Sequence, residues 1–142
     1  YIIDKVSLIH SMDRIELANE VQKRAGKLGI TVPVLVQVNV AGEDTKFGIS
    51  PEETIEFVRY LSRMPNIKVK GLMTIAPLVE NPEEVRWVFE NLRKLLIDIR
   101  RERIDNIDME HLSMGMSNDF EIAIEEGATM VRIGTAIFGR RI

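Results

Sequence analysis

The chain has no cysteine among its 142 residues, which excludes disulfides, thiolate metal sites and a cysteine nucleophile. It has no apolar run of about 18 residues, so we expect no transmembrane helix and no membrane partner. It also lacks an opening signal peptide and an excess of basic residues, with 19 Lys+Arg against 22 Asp+Glu. The net charge of −3 argues against a nucleic-acid partner. Together these absences predict a cytoplasmic protein in a reducing compartment.

What remains is an ordinary globular composition, with 45% hydrophobic and 29% charged residues. The length alone suggests one domain with a sizeable core. The first residue is Tyr1 rather than Met, so we expect a fragment or a processed product.

Residues 13–28 are predicted to form the first of four amphipathic helices, since apolar residues recur there at spacings of three and four. Asp13 and Glu16 resemble a capping box at its start. Gly29 is placed where a helix typically ends in a left-handed residue.

The other three helices have clear boundary signals. Ser-Pro-Glu-Glu at 50–53 and Asn-Pro-Glu-Glu at 81–84 each combine a cap, a proline at the first helical position and acidic residues in the first turn. The short fourth helix is predicted over 118–126 and is closed by Gly127.

Short β-like runs separate these helices. They cover residues 6–9, 34–40, 69–75, 108–112 and 129–133. Strict alternation of strand and helix predicts an α/β fold with a parallel sheet covered by helices.

The length of each β/α unit, one strand with its following helix, discriminates between two such folds. Five strands in 142 residues give about 28 residues per unit, so eight units would need roughly 225 residues, within the range of a TIM barrel. In residues 34–40 every second residue is a valine, while the opposite face becomes polar toward Asn39. A barrel interior has this character, and an open doubly wound sheet remains the alternative.

Two strand ends near the C-terminus concentrate small and hydroxyl residues. Residues 112–118 contain Ser113, Gly115 and Ser117 between a strand and a helix, and residues 131–139 follow the next strand. Phosphate recognition requires close backbone approach at glycine, N–H donors and hydroxyls. In the alternative, Gly115 is a turn residue and Ser117 a helix cap.

Arg132 is placed on the last strand, opposite Val131 and Ile133. If those two pack under helices, Arg132 faces the barrel interior, where its charge requires a partner. That partner is either an interior carboxylate or a bound ligand.

Six stretches together resemble the pyridoxal-phosphate homeostasis proteins, which are single-domain barrels similar to the N-terminal domain of alanine racemase. They are Ile-His-Ser-Met-Asp-Arg at 9–14, Val-Gln-Val-Asn-Val at 36–40, Lys-Phe-Gly at 46–48, Gly-Leu-Met-Thr at 71–74, Leu-Ser-Met-Gly-Met-Ser at 112–117 and Val-Arg-Ile-Gly-Thr-Ala-Ile-Phe-Gly at 131–139. The resemblance covers nearly the whole chain.

The resemblance implies that the cofactor is pyridoxal 5′-phosphate. By motif, Ser113, Gly134 and Thr135 hold the phosphate, with Gly115 and Ser117 nearby. The family is thought to buffer or deliver the cofactor, with effects on vitamin B6 and amino-acid balance, and no robust catalytic activity is associated with it.

The same resemblance places Arg132 at the pyridine nitrogen, with Asn39 and Met73 as pocket lining. An arginine there disfavours a protonated ring nitrogen because two like charges would lie close together. The ring is then a weaker electron sink, which suits a carrier or a racemase-like site.

The resemblance implies a covalent lysine on an N-terminal strand, and none of the lysines present occupies the matching position. Lys46 is the one candidate for a position near a ligand, and a solvated loop lysine is the favoured interpretation of it. We therefore expect residues 1–142 to be the C-terminal portion of a single (β/α)8 TIM-barrel domain, about its last five units. An open edge and an unfilled interior predict instability, or association with the N-terminal part or with a second copy.

Two other functions remain open. A racemase-like enzyme would need a second acid/base, and Tyr1 and Tyr60 are the only tyrosines. A barrel binding another phosphorylated metabolite would use Arg132 as an anion clamp. No metal site is expected, because His10 and His111 are each isolated from other ligands in sequence.

Overall fold

The computed structural model describes residues 8–44 and 47–133, and strands and helices alternate through them as predicted. The elements are β1 (Ile9–Met12), α1 (Ile15–Leu28), β2 (Val32–Gln37), α2 (Pro51–Ser62), β3 (Ile67–Met73), a 3₁₀ turn (Pro82–Val85) leading into α3 (Arg86–Arg101), β4 (Ile107–Met116), α4 (Phe120–Glu125) and β5 (Met130–Arg132). None of the helices within these ranges is long and apolar enough to cross a bilayer.

The sheet follows chain order, β1-β2-β3-β4-β5, and all neighbouring pairs are parallel. A doubly wound sheet would reverse its order at a switch point, so its neighbours would not all be sequential. Sequential parallel pairing is the arrangement of a β/α barrel. The barrel interpretation is therefore confirmed, and the strands form a five-stranded part of such a barrel.

The sheet is strongly curled. Strands lie about 4.8 Å apart, so β1 and β4 would be separated by about 14 Å in a flat sheet. The Nδ1 atom of His10 on β1 nevertheless lies 3.4 Å from the Oγ atom of Ser113 on β4. The two side chains meet across the concave face, which corresponds to the interior of a closed barrel.

The convex face carries the main hydrophobic core. Val34 and Val36 of β2, and Val38 just after it, are buried there against apolar side chains of the helices, as the alternation of valines predicts. Leu35 points to the concave face and is also fully buried, and Gln37 follows it toward the C-terminal end. Burial of this apolar surface is the main driving force for folding the layer of helices onto the sheet.

The first helix ends as predicted but begins differently. Gly29 adopts a left-handed conformation, with φ 66°, and closes α1. The predicted capping box at Asp13 and Glu16 is wrong, because the N-cap is Arg14, which makes no side-chain cap bond. Asp13 lies one residue too early to reach the first-turn amides. Its carboxylate accepts a hydrogen bond from the backbone N–H of Gly48 at 3.0 Å instead.

The proline-marked starts of the next two helices are confirmed. Pro51 opens α2 after Ser50, whose hydroxyl donates to the Glu53 carboxylate at 2.7 Å. The Asn81 side chain accepts from the backbone N–H of Glu83 at 3.1 Å and so caps the 3₁₀ turn before α3.

Three boundaries near the predicted site differ from the sequence expectation. The first strand spans Ile9–Met12 in the structure, whereas positions 6 and 7 of the predicted 6–9 run lie outside the described residues. The fourth helix is shorter than 118–126, because residues 117–119 form a turn. Strand β4 runs on to Met116, so the first part of the predicted 112–118 loop is strand, paired with β5 through Met116 and Arg132.

Candidate functional site

The candidate site lies on the concave face at the C-terminal ends of the strands. The register pairs Gln37 with Met73, Met73 with Ser113, and Ser113 with Met130, which gives one row of residues across β2 to β5. Gln37, Met73 and Ser113 are buried. In β/α barrels this end of the strands carries the functional groups.

Arg132 reaches across this row from β5. Its guanidinium donates to the Ser113 hydroxyl at 2.6 Å and to the backbone carbonyl of Thr74 at 3.0 Å. The Thr74 hydroxyl in turn donates to the Val38 carbonyl at 2.6 Å. Strands β4 and β5 and the segments after β2 and β3 are thus joined by one hydrogen-bonded chain.

The positive charge of Arg132 is only weakly compensated. Burial lowers the pKa of Arg132, and the Asp119 carboxylate acts in the opposite direction. Within residues 8–44 and 47–133 no carboxylate forms an ion pair with Arg132, so the partner expected from the sequence is here a hydroxyl and a carbonyl. Asp119 itself accepts a hydrogen bond from the backbone N–H of Met116 at 2.7 Å.

His10 completes the cluster from the far edge of the sheet. Its Nδ1 atom lies 3.4 Å from the Ser113 oxygen. Because Arg132 can only donate, the Ser113 hydroxyl accepts from Arg132 and has its own proton available for Nδ1. Burial lowers the pKa of His10 below 6.5, and the charges of Arg132 and His111 add to this effect.

The structure also determines how a ligand can reach Ser113. This residue is fully buried, and Arg132 lies on its hydroxyl. An anion therefore contacts the Ser113 hydroxyl only after the guanidinium turns aside or closes over the anion. Arginine has four side-chain torsions and five N–H donors, which makes this exchange of partners feasible.

Gly115 has a clear packing role. Its φ is 104°, and a Cβ atom built on it would lie 2.7 Å from the Cβ of Ala123 in α4 and 3.2 Å from Cγ1 of Val131. Absence of a side chain at Gly115 therefore allows α4 to lie directly on β4. The alternative that Gly115 is a turn residue and Ser117 a helix cap is wrong, because Gly115 lies in β4 and the N-cap of α4 is Asp119.

Asn39, predicted as pocket lining, closes the loop after β2. Its side-chain oxygen accepts from the N–H groups of Gly42 and Glu43, at 3.2 and 3.3 Å, and its amide donates to the Glu43 carbonyl at 2.8 Å. These contacts use most of the polar capacity of the side chain. Asn39 thus shapes the rim of the site through the loop.

Ser117 lies in the turn between β4 and α4. It borders a cavity of about 280 Å³ formed by this turn, the start of α4 and the cap of the 3₁₀ turn. The remaining predicted site residues, Gly134 and Thr135, lie outside the described residues, as does Lys46.

Sequence reasoning missed the contributions of Thr74, His10 and Asp119 to this cluster. Thr74 directly follows the apolar Leu72–Met73 end of β3, and a polar residue at that position is a usable signal in the sequence. His10 could not be paired with Ser113 from the sequence because the two are 103 residues apart and meet only through the curl of the sheet.

Neither a metal site nor a racemase-like tyrosine is supported by the described contacts. The predicted absence of a metal site stays a prediction; within residues 8–44 and 47–133, no three His, Asp or Glu side chains are grouped to hold a metal ion. Tyr60, a residue that a racemase-like site would need at a strand end, lies in α2 and donates to Asn19 at 2.7 Å.

The arrangement fits a phosphate-bearing ligand. Ser113 offers a hydroxyl and Arg132 a guanidinium with N–H groups beyond the two used here, both on the C-terminal side of the sheet. A partly buried, weakly compensated cation attracts an anion, because the anion replaces the lost hydration.

Comparisons with known proteins agree with this fold. The family model for the alanine racemase N-terminal domain matches residues 2–141. A protein of Aquifex aeolicus named pyridoxal phosphate homeostasis protein is 57% identical over 99% of this chain and 61% of its own length. A protein of the same name from Pseudomonas aeruginosa is 39% identical over 94% of the chain and 55% of its own length. The chain therefore spans about three fifths of these relatives.

Solved structures give the same picture. PipY of Synechococcus elongatus, solved without PLP, superimposes with a TM-score of 0.88 at 32% identity, covering 97% of this chain and 64% of PipY. The structure of PipY with PLP bound gives 0.84 at 30% identity, covering 97% and 63%. Alanine racemase of Clostridium difficile shares the fold alone, with a TM-score of 0.70 at 20% identity over 94% of this chain and 34% of that enzyme. The chain belongs to the alanine racemase N-terminal domain family.

Proposed function

We propose that this chain forms the phosphate-binding side of a pyridoxal 5′-phosphate site in a protein that buffers or delivers the cofactor without turning over a substrate. The observation that carries the proposal is the Arg132–Ser113 pair, in which a half-buried guanidinium without an ion-pair partner among the described residues lies on a buried hydroxyl. The names of the relatives and the cofactor-bound PipY structure support it.

Each residue has a distinct task in this proposal. Ser113 donates its hydroxyl to the phosphate, together with Gly134 and Thr135 from the segment after β5. Arg132 leaves Ser113 and turns toward the pyridine nitrogen, where its charge opposes protonation of the ring. Gly115 and Ser117 shape the strand end, and Asn39 and Met73 bound the pocket.

Pyridoxal 5′-phosphate supplies a phosphate, a pyridine ring and an aldehyde that condenses with amines. The residues of this chain bind and orient these groups, and they keep the ring nitrogen unprotonated. A weak electron sink is suited to holding the cofactor rather than to catalysis on it. We therefore propose a role in homeostasis rather than an amino-acid racemase.

The test is a cofactor titration of the full-length natural protein, followed by absorbance and by borohydride fixation of the cofactor onto the protein. Ser113→Ala and Arg132→Gln should each weaken binding by about ten- to a hundredfold, the range for hydrogen bonds to charged groups. Arg24→Gln is the matched control, because Arg24 pairs with Glu20 on the surface of α1. It should bind as the wild type does.

Three results would contradict the proposal. Absence of any cofactor-dependent band in the wild type would exclude a pyridoxal-phosphate site. Competition by a sugar phosphate at similar concentration would favour a different phosphorylated metabolite. Steady racemisation of an amino acid, abolished by Arg132→Gln, would favour the enzyme.

A further inference from the structure

Ser113 is the meeting point of three strands. Arg132 donates to its hydroxyl from β5, and His10 approaches the same oxygen from β1. The Ser113 hydroxyl accepts from Arg132 and keeps its own proton, which it can donate to the Nδ1 atom of His10. In that arrangement the imidazole is unprotonated at Nδ1, and the lowered pKa of His10 agrees with a neutral ring.

The position of His10 follows from the pleat of β1. Ile9 packs against the convex core and Met12 is fully buried in it. His10 therefore points to the concave face. The register of β1 with β2 shifts between Ile9 and Met12, and this irregularity leaves His10 between the two paired positions.

The charges around His10 all disfavour its protonation in the ligand-free site. Arg132 faces it from β5 and His111 from β4, and burial adds to both. The Asp119 carboxylate acts on Arg132 and so partly offsets the charge that faces His10. His10 carries no ion-pair partner of its own among residues 8–44 and 47–133.

A phosphate ester at Ser113 would reverse this balance. Its negative charge would lie beside His10, and Arg132 would be neutralised or would turn away from Ser113. We propose that His10 takes up a proton from solvent at Nδ1 when a phosphate ester binds, and donates it in a hydrogen bond to the ligand. His10 is then a positioning residue that links phosphate binding to pH, and this inference rests on the function proposed above.

The direction of the pH dependence follows from linkage. The pKa of His10 is lowered without ligand, and the proposal requires it to be higher in the complex. Affinity therefore increases as the pH falls through the pKa of the complex, and it levels off below the pKa of the free protein. Each pH unit of difference between the pKa of His10 in the free protein and in the complex corresponds to about a tenfold change in affinity.

The experiment is titration calorimetry of the full-length natural protein with pyridoxine 5′-phosphate, which lacks the aldehyde and so avoids covalent chemistry. Titrations near pH 7, in two buffers of different ionisation enthalpy, give the number of protons taken up. Phosphate bound as the dianion releases protons, since its second pKa is about 6, so net uptake cannot come from the ligand.

His10→Asn keeps a hydrogen-bonding group near Nδ1 and should abolish the proton uptake while lowering affinity by about three- to tenfold. The chain has two histidines, and His111→Asn is the matched control. His111 contacts Glu110 and Thr129 rather than Ser113, so its variant should keep a proton uptake at His10. That uptake should be somewhat smaller, because the His111 charge no longer lowers the pKa of free His10.

The outcomes distinguish this inference from the proposed function. If the wild type binds neither this probe nor pyridoxal phosphate, the proposed function fails. If it binds both and His10→Asn retains the proton uptake, the inference alone is overturned. A second measurement needs no variant: the imidazole resonance of His10 should titrate at least one pH unit higher with ligand than without it, and equal values would overturn the inference.

Discussion

The backbone of Gly71 lies directly against the backbone carbonyl of His111. A Cβ atom built on Gly71 would be 2.0 Å from the His111 oxygen and 2.7 Å from its carbonyl carbon. The register of β3 with β4 also shifts between Val69 and Gly71, and beyond this shift Met73 pairs with Ser113. The close approach at Gly71 thus determines which residue of β4 arrives at the candidate site.

Gly71→Ala should consequently destabilise the protein strongly. The added methyl group cannot avoid backbone atoms without separating β3 from β4, so we expect a loss of about 3 kcal/mol in the free energy of unfolding. Urea unfolding followed by circular dichroism measures it. Gly26→Ala is the control, because the nearest atoms to a Cβ there are 3.6 Å away. It should leave stability unchanged or raise it by about 0.5 kcal/mol. Equal stability of the two variants would contradict the close approach.

Gly115→Ala should disturb the packing of α4 on β4. The new methyl group would meet the Cβ of Ala123 at 2.7 Å, and φ at Gly115 is 104°. We expect a loss of about 2 kcal/mol, of which the steric part is relieved by adding Ala123→Gly. The double variant should therefore lose less free energy of unfolding than the sum of the losses in the two single variants. A double-mutant cycle measured by denaturant unfolding tests this. Strict additivity would show that the two positions do not meet.

Acid should weaken the ion pairs on the concave face below the row of site residues. Hydrogen bonding to Lys70 lowers the pKa of Asp108 below 3.8, and the Nζ atom of Lys70 lies 2.8 Å from Asp108 and 3.1 Å from Glu110. A carboxyl whose pKa is lowered by folding stabilises the protein at pH values above its pKa in the unfolded chain. This stabilisation is lost as the pH falls through the pKa of the folded protein. Asp108→Asn should lose more stability at about pH 6 than at about pH 3.

The matched control for this pH dependence is Asp98→Asn on the exposed side of α3. Unfolding free energies of both variants are compared with the wild type at the two pH values. If Asp108→Asn is as unstable at low pH as at neutral pH, the ion pair with Lys70 is not the source of the effect.

Much of the fold could be predicted from the sequence, because the local boundary signals and the hydrophobic periodicity indicate the same helices and strands. The proline-marked helix starts at 50–53 and 81–84 and the left-handed Gly29 depend only on neighbouring residues. The parallel sheet followed from strict alternation of strand and helix. Asp13 was misassigned because its partner, the N–H of Gly48, is supplied by a loop 35 residues away.

The candidate site was predictable only in part. Ser113 and Arg132 were identified from motif and strand face, and the structure joins them directly. The contact of Ser113 with His10 depends on the curvature of the whole sheet, which no local pattern encodes. The position of Asn39 at a strand end indicates pocket lining. The structure instead shows its side chain hydrogen-bonded within its own loop, which the sequence pattern does not reveal.

Asn39→Ala should loosen the loop that follows β2. The substitution removes one acceptor shared by the N–H groups of Gly42 and Glu43 and one donor to the Glu43 carbonyl. Each such hydrogen bond contributes about 1 kcal/mol, so amide hydrogen exchange at Gly42 and Glu43 should accelerate by about fivefold or more. Asn19→Ala removes a surface contact with Tyr60 and should leave these amides unchanged.

Because the rim is built by this loop, cofactor affinity should fall less in Asn39→Ala than in Arg132→Gln. A larger loss in Asn39→Ala, with unchanged amide exchange, would instead make Asn39 a direct ligand contact.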